Sequence, residues 1–196
     1  MGQVYPELDQ RLVRFITSQP VFFVATAPCL DSDGNGGHVN VSPKGYRDTF
    51  AVLGPLTVAY LDLTGSGAET IAHLRENGRI TLMWCAFTGP PTVVRVHGRG
   101  EPVFRDDPRW PALIGRFADA DAPGVRAIIT VAAELISDSC GFAVPFLDYR
   151  GERTLHADYF GRKTDEQFAE YCAAKPHNAV SLDGLPALPL PLPART

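Results

Sequence analysis

Residues 56–87 read LTVAYLDLTGSGAETIAHLRENGRITLMWCAF. The first eight are a short apolar run that predicts a strand, and Gly65-Ser66-Gly67 breaks it. The period then changes. Over 64–79, Ile71 and Leu74 stand three apart, as on one face of a helix, and Asn77-Gly78 is a helix stop signal. ITLMWCAF (80–87) returns to a strand. A strand that turns through glycines into a helix leaves backbone N–H groups unpaired at the helix start. With the helix dipole, these groups make a candidate anion site. Ser66 and Thr70 add hydroxyl donors, whereas Glu69 suits the dipole but would repel a phosphate if it pointed inward. By itself the Gly-Ser-Gly step is an ordinary flexible turn.

Upstream lies HVNVSPKG (38–45), with Val39 and Val41 on one face and His38, Asn40 and Ser42 on the other. It then runs into Pro43, Lys44 and Gly45. One reading is a half-buried strand that ends in a turn. The other is a strand edge that offers small polar groups and one cation to an anionic ligand. Downstream, PTVVRVHGRGEPVF (91–104) alternates, with Val94 and Val96 opposed to Arg95 and His97.

Around these segments, 7–19 predicts a helix with Leu8, Leu12, Phe15 and Ile16 on one face, stopped at Pro20. A strand over 21–28 and a turn-rich connection over 29–38 suggest a hairpin into HVNVS. A short helix is expected over 106–119, with Trp110, Leu113, Ile114 and Phe117 as its stripe. Residues 125–149 read as one long strand, a break at Ser137-Asp138, and a second strand. TDEQFAEYCAAK (164–175) opens with a Thr-x-x-Gln capping pattern and predicts a helix. Six or so strands joined mainly by turns predict a mainly β fold: an antiparallel barrel with peripheral helices. The expected organisation is a single domain over 1–186 with a C-terminal helix, followed by an extended proline-rich tail over 187–196.

The chain has 196 residues, enough to bury a real core, and a formal net charge of −4. That charge argues against nucleic acid or an anionic membrane as the main partner. There is no cationic, apolar leader and no apolar run near the ~18 residues of a membrane span, so the expectation is a soluble, cytoplasmic protein. Cys29, Cys85, Cys140 and Cys172 form no C-x-x-C pair, and Cys85 and Cys140 are expected to be reduced core residues. The five histidines show no metal-ligand spacing, so no metal is expected. GxGxxG, P-loop and G-x-S-x-G patterns are also missing from the sequence.

The order of HVNVSPKG, the 56–87 segment and VVRVHGRGEPV resembles the pyridoxamine 5′-phosphate oxidase-like, FMN-binding split-barrel family, most clearly over 20–104. SCGFAVPFLDYRGERTL (139–155) and SLDGLP (181–186) resemble a branch of that family with unassigned substrate. The resemblance implies a six-stranded split barrel acting as a homodimer, with FMN at the dimer interface. It places Asn40, Val41, Ser42 and Lys44 along the flavin ring and ribityl chain. It places Leu63, Thr64, Ser66, Glu69 and Thr70 at the phosphate. The true pyridoxamine phosphate oxidases carry an Arg-Lys pair where this chain has Glu69 and Thr70, and a flavin-contacting Gln where it has Val93. Thr154 and Asp158 stand where their substrate motif has arginines. Pyridoxamine phosphate is therefore not the expected substrate.

The expected function is an FMN-dependent oxidoreductase that acts on an unidentified small molecule by hydride transfer through the flavin. Arg95, Tyr149 and Arg153 are candidates to line the substrate side, and no catalytic residue is assigned. The competing classes are a non-catalytic flavin- or haem-binding carrier or sensor, a deazaflavin-dependent reductase, and an interaction domain docking through its proline tail.

Overall fold

The computed structural model describes residues 2–29 and 34–189. The strands are β1 (Val4–Tyr5), β2 (Phe22–Thr26), β3 (Asn40–Lys44), β4 (Phe50–Gly54), β5 (Thr57–Leu63), β6 (Arg79–Cys85), β7 (Thr92–Val103) and β8 (Val125–Cys140). The helices are α1 (Gln10–Ser18), α2 (Glu69–Glu76), α3 (Trp110–Ile114), α4 (Leu155–Phe160), α5 (Asp165–Ala173) and α6 (Pro176–Ala179). No described helix is long and apolar enough to cross a membrane.

The strands form one antiparallel sheet in the order β3-β2-β6-β7-β8-β5-β4, with β1 paired to β8. Its edge strands, β3 and β4, are neighbours in the chain, joined only by Gly45–Thr49. A flat sheet of these seven strands would hold its edges about 29 Å apart. The connection from Lys44 to Phe50 spans at most about 21 Å even when fully extended. The sheet therefore has to curl until its edges approach, yet no ladder joins β3 to β4 among the described residues. The result is a barrel split along one seam.

Alternating residues fill the barrel. Phe22, Val24, Tyr60, Leu82, Trp84, Val94, Val96 and Ile129 point inward, where Leu12 and Ile16 of α1 and Ile71 and Leu74 of α2 meet them. Phe22, Phe50, Tyr60 and Trp84 cluster at the α1 end, with Phe22 stacked on Trp84 at 5.5 Å between ring centroids. Asp9 caps α1 through its side chain, and Thr164 and Gln167 form the expected capping box on α5. Asn77 and Gly78 end α2 as their spacing predicts, with Gly78 at φ +71°.

Several expectations are corrected. The strands number eight rather than six, because β1 and β4 read as irregular chain in the sequence. β8 runs unbroken through Ser137 and Asp138, which are held by Gln3, Val4 and Tyr5 on one side and β7 on the other. No second strand follows it, and residues 141–154 are irregular. Cys140 is exposed, whereas Cys85 and Cys172 are buried and all four cysteines are free. Ala187 and Leu188, at the start of the proposed tail, are buried in the core. Their N–H groups donate to the Ala179 and Asn178 carbonyls. The tail from 190 onward, and the 30–33 part of the turn-rich connection, lie outside the described residues.

Candidate functional site

The seam between β3 and the β4–β5 edge gathers most of the residues singled out above. On β3 the side chains of Asn40, Ser42 and Lys44 are partly buried, while Val41 is 63% exposed on the opposite face. On β5, Tyr60 and Asp62 are wholly buried and face the barrel interior. β4 pairs with β5 only as far as Tyr60, which leaves the Leu61–Leu63 half of that edge open.

The anchor of the seam is a buried ion pair. Arg126 Nε donates to Asp62 Oδ2 at 2.5 Å, with almost nothing of either side chain exposed. The other guanidinium nitrogens donate to Asn178 Oδ1 at 3.0 Å and to the Gly67 carbonyl at 2.7 Å. Arg126 therefore sets the shape of the Gly65-Ser66-Gly67 turn from beneath. Neither member of the pair is singled out by the sequence reading. The available signal was one charged residue in the middle of each apolar strand, AYLDL and VRAIIT, a pattern that buried chains tolerate only as a pair.

Four polar positions around this pair are unsatisfied. Ser42 Oγ, Tyr60 Oη and Asp62 Oδ1 are buried with no hydrogen-bond partner among the described residues. Lys44 Nζ makes no hydrogen bond or ion pair among them either. Burial pushes the Lys44 ammonium below its ordinary 10.5, although Asp62 pulls it back up. Burial also lifts the Tyr60 phenol well above 10.0. Lys44 lines a small cleft together with Phe22, Phe50, Trp84, Tyr46 and Arg47. Tyr46 adopts φ +61°, an uncommon conformation for a bulky residue, and its hydroxyl donates to the Arg153 carbonyl at 2.6 Å.

The start of α2 differs from the expected phosphate cradle. Asn40 Nδ2 donates to both Thr70 Oγ1 and Thr26 Oγ1 at 3.1 Å, tying β3 to the helix. Thr26 Oγ1 in turn shares a 3.0 Å hydrogen bond with Nδ1 of His73, a wholly buried residue. Thr64 is buried, its N–H donates to the Gly124 carbonyl, and its carbonyl accepts from His156. Leu63 completes β5 opposite Val125. Both Glu69 carboxylate oxygens accept from the Leu182 N–H at 3.1 Å. Of the five residues assigned to the phosphate, only Ser66 is exposed. Ser42 and Lys44 thus present free polar groups to the seam. At the start of α2 the side chains of Thr70 and Glu69 are engaged in internal bonds, whereas Ser66 is exposed.

Elsewhere, Arg95 bonds to Ser139, Arg47 packs over the Tyr149 ring, and the Arg153 side chain is exposed. Tyr149 and Arg153 are thus tied to the Lys44 cleft through Arg47 and Tyr46, which line it, whereas Arg95 is bonded elsewhere. No group of three His, Cys, Asp or Glu residues able to hold a metal occurs among the described residues.

Comparison with known proteins agrees with this architecture. Residues 8–140 match the family model described as pyridoxamine 5′-phosphate oxidase. A pyridoxamine 5′-phosphate oxidase family protein of Aspergillus flavus, ustO, is 40% identical over 94% of this chain and 77% of the relative. Among solved structures, a histidine-to-alanine variant of HupZ from Group A Streptococcus superposes with a TM-score of 0.50 at 20% identity. That match covers 67% of this chain and 99% of the other. An FMN-binding protein from Syntrophomonas wolfei has a TM-score of 0.46 at 14% identity, covering 67% and 88%. The HupZ likeness bears on the fold, and the matched span and the fungal relative settle the kinship: this chain belongs to the pyridoxamine 5′-phosphate oxidase family.

Proposed function

We propose that this protein is a flavin-dependent oxidoreductase that acts on a small molecule, with FMN as the flavin implied by the family resemblance. The observation that supports the reading best is the pair of unspent polar groups on β3: Lys44 Nζ and Ser42 Oγ face the seam without partners in a chain of this family. A buried donor with no partner costs stability, and a polar ring edge lying along β3 would relieve that cost.

A bound flavin supplies the redox chemistry, while the chain binds it, orients it and keeps water out. In that role Lys44 presents positive charge, strengthened by its partial removal from water. The Asn40 bonds to Thr26 and Thr70 hold β3 at a fixed height against α2. The Arg126–Asp62 pair holds the turn that borders the seam. A homodimer with the site at its interface is the assembly the resemblance implies, and exposed Val39 and Val41 beside the seam offer apolar surface for it.

The test is an absorption spectrum of the purified protein with and without added flavin, followed by reduction with NADH, NADPH and dithionite. The expected result is two flavin bands that a nicotinamide donor bleaches and air restores. A colourless protein that takes up no added flavin would overturn the reading. The carboxylate of Glu69 at the start of α2 favours a second reading, a non-catalytic carrier of flavin or haem. An intense Soret band, or flavin that only dithionite reduces, would favour that reading.

A further inference from the structure

The C-terminal segment 178–188 folds back on itself and lies against α2. Val180 bridges to Pro186, Ser181 N donates to the Leu185 carbonyl, and Ser181 Oγ accepts from the N–H groups of Asp183 and Leu185. Its base is fixed in the core by Ala187 and Leu188, and Arg75 of α2 donates to the Ala187 carbonyl. Its tip carries the contacts that matter here. Leu182 N–H sits on the Glu69 carboxylate in the first turn of α2. Asp183 accepts from the backbone N–H of His38 at 2.8 Å and lies 2.7 Å from Nδ1 of its ring. One carboxylate, Glu69, and the Leu182 N–H of the strap therefore meet among the residues to which the family resemblance assigns a phosphate, with Asp183 on His38 adding a second negative charge nearby. His73 does not offset their charge, because burial holds its imidazole below its ordinary 6.5 despite Glu69, Asp183 and Glu76 nearby.

We propose that Glu69 and the 181–186 strap close the start of α2 to phosphate, so that this protein takes its flavin by the ring and ribityl chain and gains nothing from a 5′-phosphate. This inference rests on the flavin reading above and deepens it. The ligand class is a flavin with a neutral tail, of the riboflavin type. Glu69 performs internally what an anion would do at an open helix start: it stabilises the positive end of the dipole. It also binds the strap, so strap and phosphate compete for one place. A phosphate dianion beside the Glu69 carboxylate would meet like charge where it needs donors.

The test compares dissociation constants of FMN and riboflavin for the full chain, and for Glu69→Gln and Glu69→Arg. Amide hydrogen exchange at 66–70 and at Leu182 is followed in parallel, with and without millimolar inorganic phosphate. The expected result is FMN binding no tighter than riboflavin in the parent protein, a shift of tenfold or more towards FMN in Glu69→Arg, and faster Leu182 exchange in Glu69→Gln. Inorganic phosphate should leave exchange at 66–70 unchanged in the parent protein. FMN binding at least tenfold tighter than riboflavin in the parent, or phosphate protection of 66–70, would overturn the proposal even if both variants failed to fold. If neither flavin binds while phosphate is still refused and Leu182 stays protected, the flavin reading falls and the closure of α2 stands.

Discussion

Arg126 and Asp62 meet at 2.5 Å inside the barrel, and the same guanidinium holds the Gly67 carbonyl, so one buried cation fixes both a strand pair and the turn into α2. Removing one partner of a buried pair leaves an uncompensated charge, which costs about 3–5 kcal/mol. Arg126→Met should lose stability on that scale in urea denaturation. Asp62→Asn combined with Arg126→Met should lose clearly less than Arg126→Met alone. Equal losses in the two variants would show that the pair is not what holds the seam.

The strap tip has its own pH window. The hydrogen bond to Asp183 and its charge raise His38 above 6.5, and the side-chain and backbone hydrogen bonds from His38 hold Asp183 below 3.8. A raised histidine contributes fully below 6.5 and its contribution is lost as pH climbs through the raised value. A depressed carboxylate contributes above 3.8 and its contribution is lost as pH falls through the lowered value. The tip should therefore be held best between about pH 4 and 6.5. Proton NMR should place the His38 titration midpoint above 6.5, and Asp183→Asn should return it to the ordinary value. An unshifted midpoint in the parent protein would mean that the pair does not persist in solution.

Much of this architecture is legible in single segments. The period change across 56–87 locates β5, α2 and β6, and Thr164-x-x-Gln167 locates the start of α5, because those signals are local. β4 escapes a local reading because FAVLG ends in Gly-Pro and looks like linker, and it becomes a strand only by pairing with β5. β8 looks broken at Ser137-Asp138 because its polar groups are satisfied by β1, about 130 residues away in sequence. The candidate site divides in the same way. Asn40, Ser42 and Lys44 alternate as a strand must, so their shared face can be read directly. Glu69 can be placed at a helix start, but its partner Leu182 is 113 residues distant and nothing local announces it.

Gly98 marks a place where β7 and β8 approach too closely for any side chain. Their register slips between His97 and Gly98, and a Cβ at 98 would lie 2.0 Å from the Ala132 carbonyl oxygen. Both sides of that clash are backbone, so neither can rotate away. Gly98→Ala should cost at least the 1–3 kcal/mol typical of overpacking, roughly, in urea denaturation. Gly65→Ala is the control, because nothing lies within 4 Å of its added Cβ and its φ lies outside the left-handed region. It should be neutral or stabilise by about 0.4–1 kcal/mol through the unfolded chain. A harmless Gly98→Ala would mean that the β7–β8 bulge can open.

Lys44 is where binding and stability should conflict. Burial lowers its ammonium below 10.5, so the charged form is held at a cost in the folded protein without a direct partner among the described residues. For a base depressed in the folded state, that cost is fully present below the lowered value and disappears as pH rises to 10.5. Lys44→Met keeps the length of the side chain and removes the charge. The flavin-free variant should be more stable than the parent at pH 7, and its advantage should narrow as pH approaches 10. Tyr60, raised well above 10.0, sets the upper limit of the useful range. The same variant should bind flavin about ten- to a hundredfold more weakly, as expected for the loss of one charge-assisted bond worth about 1.5–3 kcal/mol. Thermal denaturation across pH and a flavin titration check the two halves separately. A variant less stable than the parent at pH 7, with unchanged flavin affinity, would show that Lys44 serves the fold and not a ligand.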